Sequence, residues 1–210
     1  MQILYEDNHL LIINKPSGIL TQPSGTDQKN IEDLAKQLIK ERDHKPGNVF
    51  LHAVHRLDKP VSGIVIFAKT SKALSRLNAS IRRKEMVKTY IARIGGTLPD
   101  KEGTLEHKLD HDNYRAAVSE SGKLCRLHYR QIDPHLVEVT LETGRYHQIR
   151  AQLAAINCPI DGDSKYGSGA PWSHGIALHH SKLIMKHPVT GEILTITAEA
   201  QAPLLPSPQE

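Results

Sequence analysis

His55-Arg56-Leu57-Asp58-Lys59-Pro60-Val61-Ser62-Gly63, followed directly by Ile64-Val65-Ile66-Phe67-Ala68-Lys69, is the stretch on which the reading of this chain turns. The first nine residues are mostly polar and carry a proline and a glycine, the composition of a constrained turn. The run from Ile64 to Ala68 is apolar and mostly β-branched, which predicts a buried strand. Asp58 therefore lies on a turn that feeds into the core. Such a turn holds a carboxylate in one place, as a catalytic group requires. Two readings stand at this point: a catalytic carboxylate, or an aspartate that only completes the turn.

Upstream, Ile3 to Tyr5 and Leu10 to Asn14 predict a hairpin across the polar turn Glu6-Asp7-Asn8, and Lys15-Pro16-Ser17-Gly18 marks its end. Thr21 to Lys29 is a Pro/Ser/Gly-rich loop. Asn30 is placed to cap a helix with Glu32 and Asp33 in its first turn and Ile31, Leu34, Ala35, Leu38 and Ile39 on one face. Val49 to Val54 leads into the key turn. Downstream, Thr70-Ser71 caps a helix to about Arg83 with Ala73, Leu74, Leu77 and Ile81 inward, and Val87 to Ile94 is a strand. Strand-like segments then follow at Thr104–Leu109, Arg115–Val118, Leu124–Gln131 and Leu136–Leu141, a β-rich second half. A helix from Tyr146 to about Ile156, with Asn157 at its C-terminal end, interrupts it. Ala177–Met185 and Ile193–Thr197 close the chain as a hairpin, and the proline-bearing tail 202–210 is expected to be flexible.

Lys and Arg number 27 against 23 Asp and Glu, and 13 histidines add positive charge below neutral pH. This mild excess suits a polyanionic partner and is equally common in soluble enzymes. The two cysteines, Cys125 and Cys158, form no CxxC pair, which argues against a disulfide scaffold or a cysteine zinc site and fits a reducing cytoplasm. The start of the chain is too acidic and too briefly apolar for a signal peptide, and no apolar run reaches membrane-spanning length.

His55-Arg56-Leu57-Asp58 with Ser62-Gly63 resembles the signature of the RluA-type pseudouridine synthases, which isomerise uridine in structured RNA. The resemblance continues in order through Lys88-Thr89-Tyr90-Ile91-Ala92, Leu141-Glu142-Thr143-Gly144-Arg145-Tyr146-His147-Gln148-Ile149-Arg150, Pro159-Ile160-Asp161-Gly162-Asp163 and Tyr166-Gly167. Val61 departs from the threonine usual in the family. The resemblance implies an α+β fold, a mixed, mostly antiparallel bifurcated β-sheet flanked by helices, spanning 1–201 as one catalytic domain. Longer members carry an additional N-terminal RNA-binding domain, which this chain is expected to lack.

By the same resemblance Asp58 is the essential catalytic carboxylate, Arg145 its charge partner and Tyr90 the residue that stacks on the target base. A guanidinium suits that partnership because it stays charged and grips a carboxylate through two donors. Arg56 matches the position facing RNA near the flipped base, and Ile149 an aliphatic position against that base. Lys88, His147, Gln148 and Arg150 are candidates for backbone or pocket contacts with RNA. The carboxylate attacks C1′ or C6, or removes the C2′ proton to give a glycal; the sequence does not choose. The reaction needs neither metal nor cofactor. The expected partner is a tRNA or rRNA stem-loop, with a lean towards tRNA, and the expected protein is a cytoplasmic monomer with no obligatory protein partner and no membrane association.

Two other readings were weighed against this one. His147, Asp161, Asp163, His179 and His180 are metal-ligand types, but adjacent histidines on a strand point to opposite faces and no HExxH spacing is present. A non-catalytic RNA-binding module explains the charge equally well, yet has no need of a carboxylate among Asp58, Tyr90 and Arg145.

Overall fold

The computed structural model describes residues 1–112, 114–200 and 204. In chain order the elements are β1 (Gln2–Glu6), β2 (Leu10–Lys15), α1 (Ile31–Arg42), β3 (His52–Ala53), β4 (Ser62–Ala68), α2 (Ser71–Arg82), β5 (Val87–Arg93), β6 (Glu102–His111), β7 (Ala116–Val118), β8 (Lys123–Asp133), β9 (Leu136–Leu141), α3 (Gln148–Ala155), β10 (Leu178–Lys186) and β11 (Ile193–Thr197), with a short 3-10 turn at Ser164–Tyr166. The α+β, mostly antiparallel architecture is as expected. The chain divides into two compact units, one of Met1–Met86 with Lys182–Glu199 and one built mainly from Val87–Ser181. The tail expected to be flexible lies outside the described residues, apart from Leu204, which is buried.

In the first unit β1 pairs with β2 and β2 with β4, while β3 lies on β4 and the second half of β10 pairs with β11, all antiparallel. Every residue of β2 and all of β4 except Ser62 are buried. Side chains alternate along a strand, so Leu10 and Ile12 share a face with Ile64, Ile66 and Ala68. Ala73 and Leu77 of α2 pack on that face, and Leu183, Met185 and Ile196 complete the core. The two helices begin where local chemistry dictates. Asn30 accepts from the Asp33 amide at 2.9 Å and Thr70 from the Ala73 amide at 3.1 Å, caps worth about 1 kcal/mol each. Leu34, expected inside, is 38% exposed, because the buried stripe of α1 runs through Ile31, Ala35 and Ile39 at four-residue intervals. Within the segment Val49–Val54, His52–Ala53 form the short strand β3 against Ala68 and Phe67, and the Val54 amide bonds to the Ile66 carbonyl at 2.9 Å.

In the second unit the antiparallel order is β5-β9-β8-β6-β7. Fully buried Gln152 fastens α3 to the sheet, donating to the carbonyls of Leu105 at 3.0 Å and Cys125 at 3.3 Å. α3 starts at Gln148 rather than Tyr146, because His147 adopts a left-handed conformation, φ 53°, that a helix cannot contain. Its end follows expectation: Asn157 is left-handed at φ 59°, and the Cys158 amide bonds to the Leu153 carbonyl at 3.0 Å. Both cysteines are free and buried. No helix among the described residues is long and apolar enough to cross a membrane.

Glu6, at the end of β1, receives Arg42 through two hydrogen bonds at 2.7 and 2.8 Å and Lys69 at 2.8 Å, joining the hairpin to the last turn of α1 and the approach to α2. The Arg42 hydrogen bond, followed by that of Lys69, outweighs partial burial and holds the Glu6 carboxyl down from 4.5 to about 2. A carboxyl depressed in the folded state stabilises above its unfolded value, and that stability is lost as pH falls through the folded one. Glu6→Gln is expected to cost on the order of 1 kcal/mol at pH 7. In urea titrations the gap to the wild type should close between pH 4.5 and about 2.

Candidate active site

Asp58 lies in the turn that feeds β4, half-buried, and its carbonyl accepts the Val61 amide at 3.0 Å. A second loop, residues 15–21, fixes this turn. Thr21 Oγ1 both donates to the Leu57 carbonyl at 2.8 Å and accepts the Leu57 amide at 3.0 Å. The Gly18 amide donates to the Lys59 carbonyl at 2.8 Å, and Ser17 Oγ to the Pro60 carbonyl at 2.8 Å. Beneath them Lys15 has no exposed surface. Its ammonium donates to the carbonyls of Ile19 at 2.8 Å, Pro16 at 3.0 Å and Lys59 at 3.4 Å. Burial pushes the Lys15 ammonium down to about 8, and the Asp58 charge partly opposes that fall. Gly63, at φ 116°, turns the chain into β4 in a conformation that a side chain disfavours. Val61 is buried, so an aliphatic side chain suits its site. Arg56 is exposed.

In the second unit Tyr90, 6% exposed on β5, stacks on His180 with ring centroids 4.5 Å apart and 15° between planes. Lys88, one turn of the pleat away, is half-buried, and burial pushes its ammonium below the ordinary lysine value. Residues 144–150 form a knot ahead of α3. Gln148 Oε1 accepts the Arg145 amide at 3.1 Å and the Thr143 hydroxyl at 2.9 Å, while its Nε2 donates to the Arg126 carbonyl at 3.1 Å. Arg150 grips both carboxylate oxygens of Asp163, at 2.6 and 2.9 Å, and contacts His147 Nε2 at 2.8 Å. An arginine only donates, so that His147 nitrogen accepts, and the ring proton sits on Nδ1, 2.9 Å from the Tyr166 hydroxyl. Gln148, Ile149 and Arg150 are each at most 5% exposed, whereas Arg145 is exposed. The structure thus engages His147, Gln148 and Arg150 within the protein, and leaves Arg56 and Arg145 at the surface.

The profile of the RNA pseudouridylate synthase family matches residues 9–155. This chain belongs to that family. It is similar to an uncharacterised RNA pseudouridine synthase, YhcT, of Bacillus subtilis, 38% identical over 97% of this chain and 69% of the relative. It is also similar to the dual-specificity RNA pseudouridine synthase RluA of Haemophilus influenzae, 33% identical over 95% of this chain and 93% of the relative. Among solved structures, human RNA pseudouridylate synthase domain containing 4 superposes with a TM-score of 0.79, covering 97% of this chain and 90% of that one, at 23% identity. That likeness carries the fold.

As a pseudouridine synthase the chain is an isomerase acting on RNA. The residues that suggested a metal site have other work. Asp163 holds Arg150, Asp161 lies 3.3 Å from the Arg93 guanidinium, and His180 stacks on Tyr90. Among the described residues no group of three His, Cys, Asp or Glu side chains is placed to hold a metal ion.

Lys15 and Thr21, which hold the Asp58 turn, are not singled out by sequence reasoning. The available signal was a lysine closing a strand whose first four residues are apolar, since a buried ammonium must find internal acceptors. Lys15→Met removes the donor shared by three carbonyls and should lower turnover about tenfold to a hundredfold by loosening the Asp58 turn. In the wild type, turnover should fall as pH rises through about 8, the Lys15 value. Stability should not fall with it: between about 8 and 10.5 the unfolded chain holds the Lys15 proton and the folded one does not, so this group's contribution rises with pH. Turnover and urea titrations across that range check both signs, and the alkaline limb should be absent from Lys15→Met.

Proposed function

We propose that this chain converts specific uridines of a tRNA or of 23S rRNA to pseudouridine, with Asp58 as the essential carboxylate. The observation that carries this reading is the immobilisation of the Asp58 turn by Lys15, Gly18 and Thr21. In the reaction the N1–C1′ bond breaks, the base turns, and a C5–C1′ bond forms. The C5 proton leaves and N1 gains one, so atoms and electrons balance without an oxidant or reductant. The target nucleotide must leave its stack, at a cost on the order of a few kcal/mol. Tyr90 stacks on the extruded base, Ile149 packs against it, and Arg56 and Lys88 contact the RNA around it. Arg145 is the charge partner of Asp58. His147, Gln148 and Arg150 serve the RNA by holding the shape of the segment that carries Arg145. Residues 1–201 act as one catalytic domain, working as a monomer in the cytoplasm. Similarity to a dual-specificity RNA pseudouridine synthase supports a substrate class of more than one RNA.

Tritium release from RNA labelled at C5 of uridine tests the assignment. The wild type should release tritium from bulk tRNA or a 23S rRNA transcript with EDTA present, and Asp58→Ala should fall at least about a hundredfold, as expected for loss of a covalent or proton-transfer group (roughly 10² to 10⁶). Arg145→Lys should lower kcat by on the order of a hundredfold with urea stability intact, because a lysine cannot reproduce the two-donor grip. Loss confined to Arg150→Lys would move the charge-partner role to Arg150. RNA binding without tritium release would leave a binding module.

A further inference from the structure

Within the second unit a pocket of about 390 Å³ opens between the β6–β7 hairpin, the turn ahead of β8 and the Gly144–Tyr146 loop. Its volume falls at the small end of the range for small-ligand sites, about 300–1,000 Å³. Tyr146 forms one wall and is 38% exposed. A column of rings backs it: His147 stacks on Tyr146 with centroids 3.8 Å apart and 16° between planes, and Tyr166 meets His147 edge-on at 5.6 Å. Arg115 and Arg150 each lie 5.1 Å from the Tyr166 ring centre. His111, also lining the pocket, meets Tyr146 edge-on at 5.7 Å. Two cations, Lys123 and Arg145, complete the lining, while the acid there, Asp110, turns its carboxylate to the His111 amide at 2.8 Å.

The rings that back Tyr146 hold it in place, which reduces the entropy cost of ordering it on contact with a ligand. A ring with a cation at its margin matches one ligand class, a nucleotide whose base packs against the aromatic wall while its phosphate meets Lys123. Extrusion of a target base unstacks its neighbours, which then need somewhere to go. We propose that this pocket takes an unpaired nucleotide of the substrate RNA other than the target uridine. The inference rests on the RNA-modifying reading above and adds to it a second nucleotide site.

The test uses the Asp58→Ala protein, which separates binding from chemistry, with bulk tRNA and a 23S rRNA transcript as probes. Tyr146→Leu in that background should weaken binding about tenfold, as loss of one base stack does. Tyr146→Phe should restore it to within about twofold. Lys123→Gln, a change at an exposed position, should weaken binding several-fold and lower the slope of log Kd against log salt by about one. With Asp58 restored, the loss should fall on KM more than on kcat. Tyr146→Leu and Lys123→Gln proteins that bind RNA as tightly as their parent would overturn the proposal, even where the wild type releases tritium. Weakened binding in both, beside a wild type that releases none, would sustain the pocket and reject the catalytic reading.

Discussion

A lysine with no exposed surface costs several kcal/mol unless its ammonium is fully met, and Lys15 is met almost entirely by backbone carbonyls. Carbonyl oxygens are acceptors that no side-chain substitution removes. Those of Pro16 and Ile19 belong to the loop 15–21 and that of Lys59 to the Asp58 turn, so one ammonium ties the two segments together. Thr21 repeats the device with a neutral group, closing both backbone positions of Leu57. The result is a turn whose residues 57, 59 and 60 are each bonded to the loop 15–21. Asp58 has little freedom to drift, whatever its own side chain does.

The second unit solves the same problem with charge rather than carbonyls. Arg150 and Asp163 form a buried pair through two parallel hydrogen bonds, the geometry in which such a pair best repays desolvation. His147 joins that pair, and joining it requires the left-handed backbone that delays α3 until Gln148. That delay leaves Arg145 and Tyr146 on an exposed turn, with Gln148 holding the Arg145 amide from below. A buried ion pair thus dictates where two surface residues stand.

What the sequence revealed and what it hid follow one physical division. The starts of α1 and α2 were legible because Asn30 and Thr70 act on amides three residues away. Leu136–Leu141 and Ile193–Thr197 were legible because their strand patterns are local. The work of Lys15 and Thr21 was not, because the bonds by which they reach the Asp58 turn span 44 and 36 residues of chain. The start of α3 was misplaced for the same reason, since His147 answers to Tyr166, nineteen residues on. Of the candidate site, residue types and order could be read, whereas burial could not. Arg145 and Arg150 belong to one motif and are chemically alike, yet one is exposed and the other almost wholly enclosed.

That contrast bears on how a chain with a formal charge of only +4 attracts RNA. Many of its cations are already balanced: Arg42 and Lys69 by Glu6, Arg126 by Glu106 and Glu142, Arg130 by Glu138, and Arg150 by Asp163. A phosphate responds to local potential rather than to the total, and paired cations contribute little beyond a few ångströms. The attraction must then come from where exposed cations stand, and among them Arg56 stands beside Asp58 in sequence, while Lys123 and Arg145 line the pocket proposed for a second nucleotide. Low net charge with local placement favours release from non-target RNA, because non-specific affinity scales with the number of phosphates neutralised at once. Discrimination among uridines is left to base stacking and pocket shape, which a uniformly basic surface would obscure.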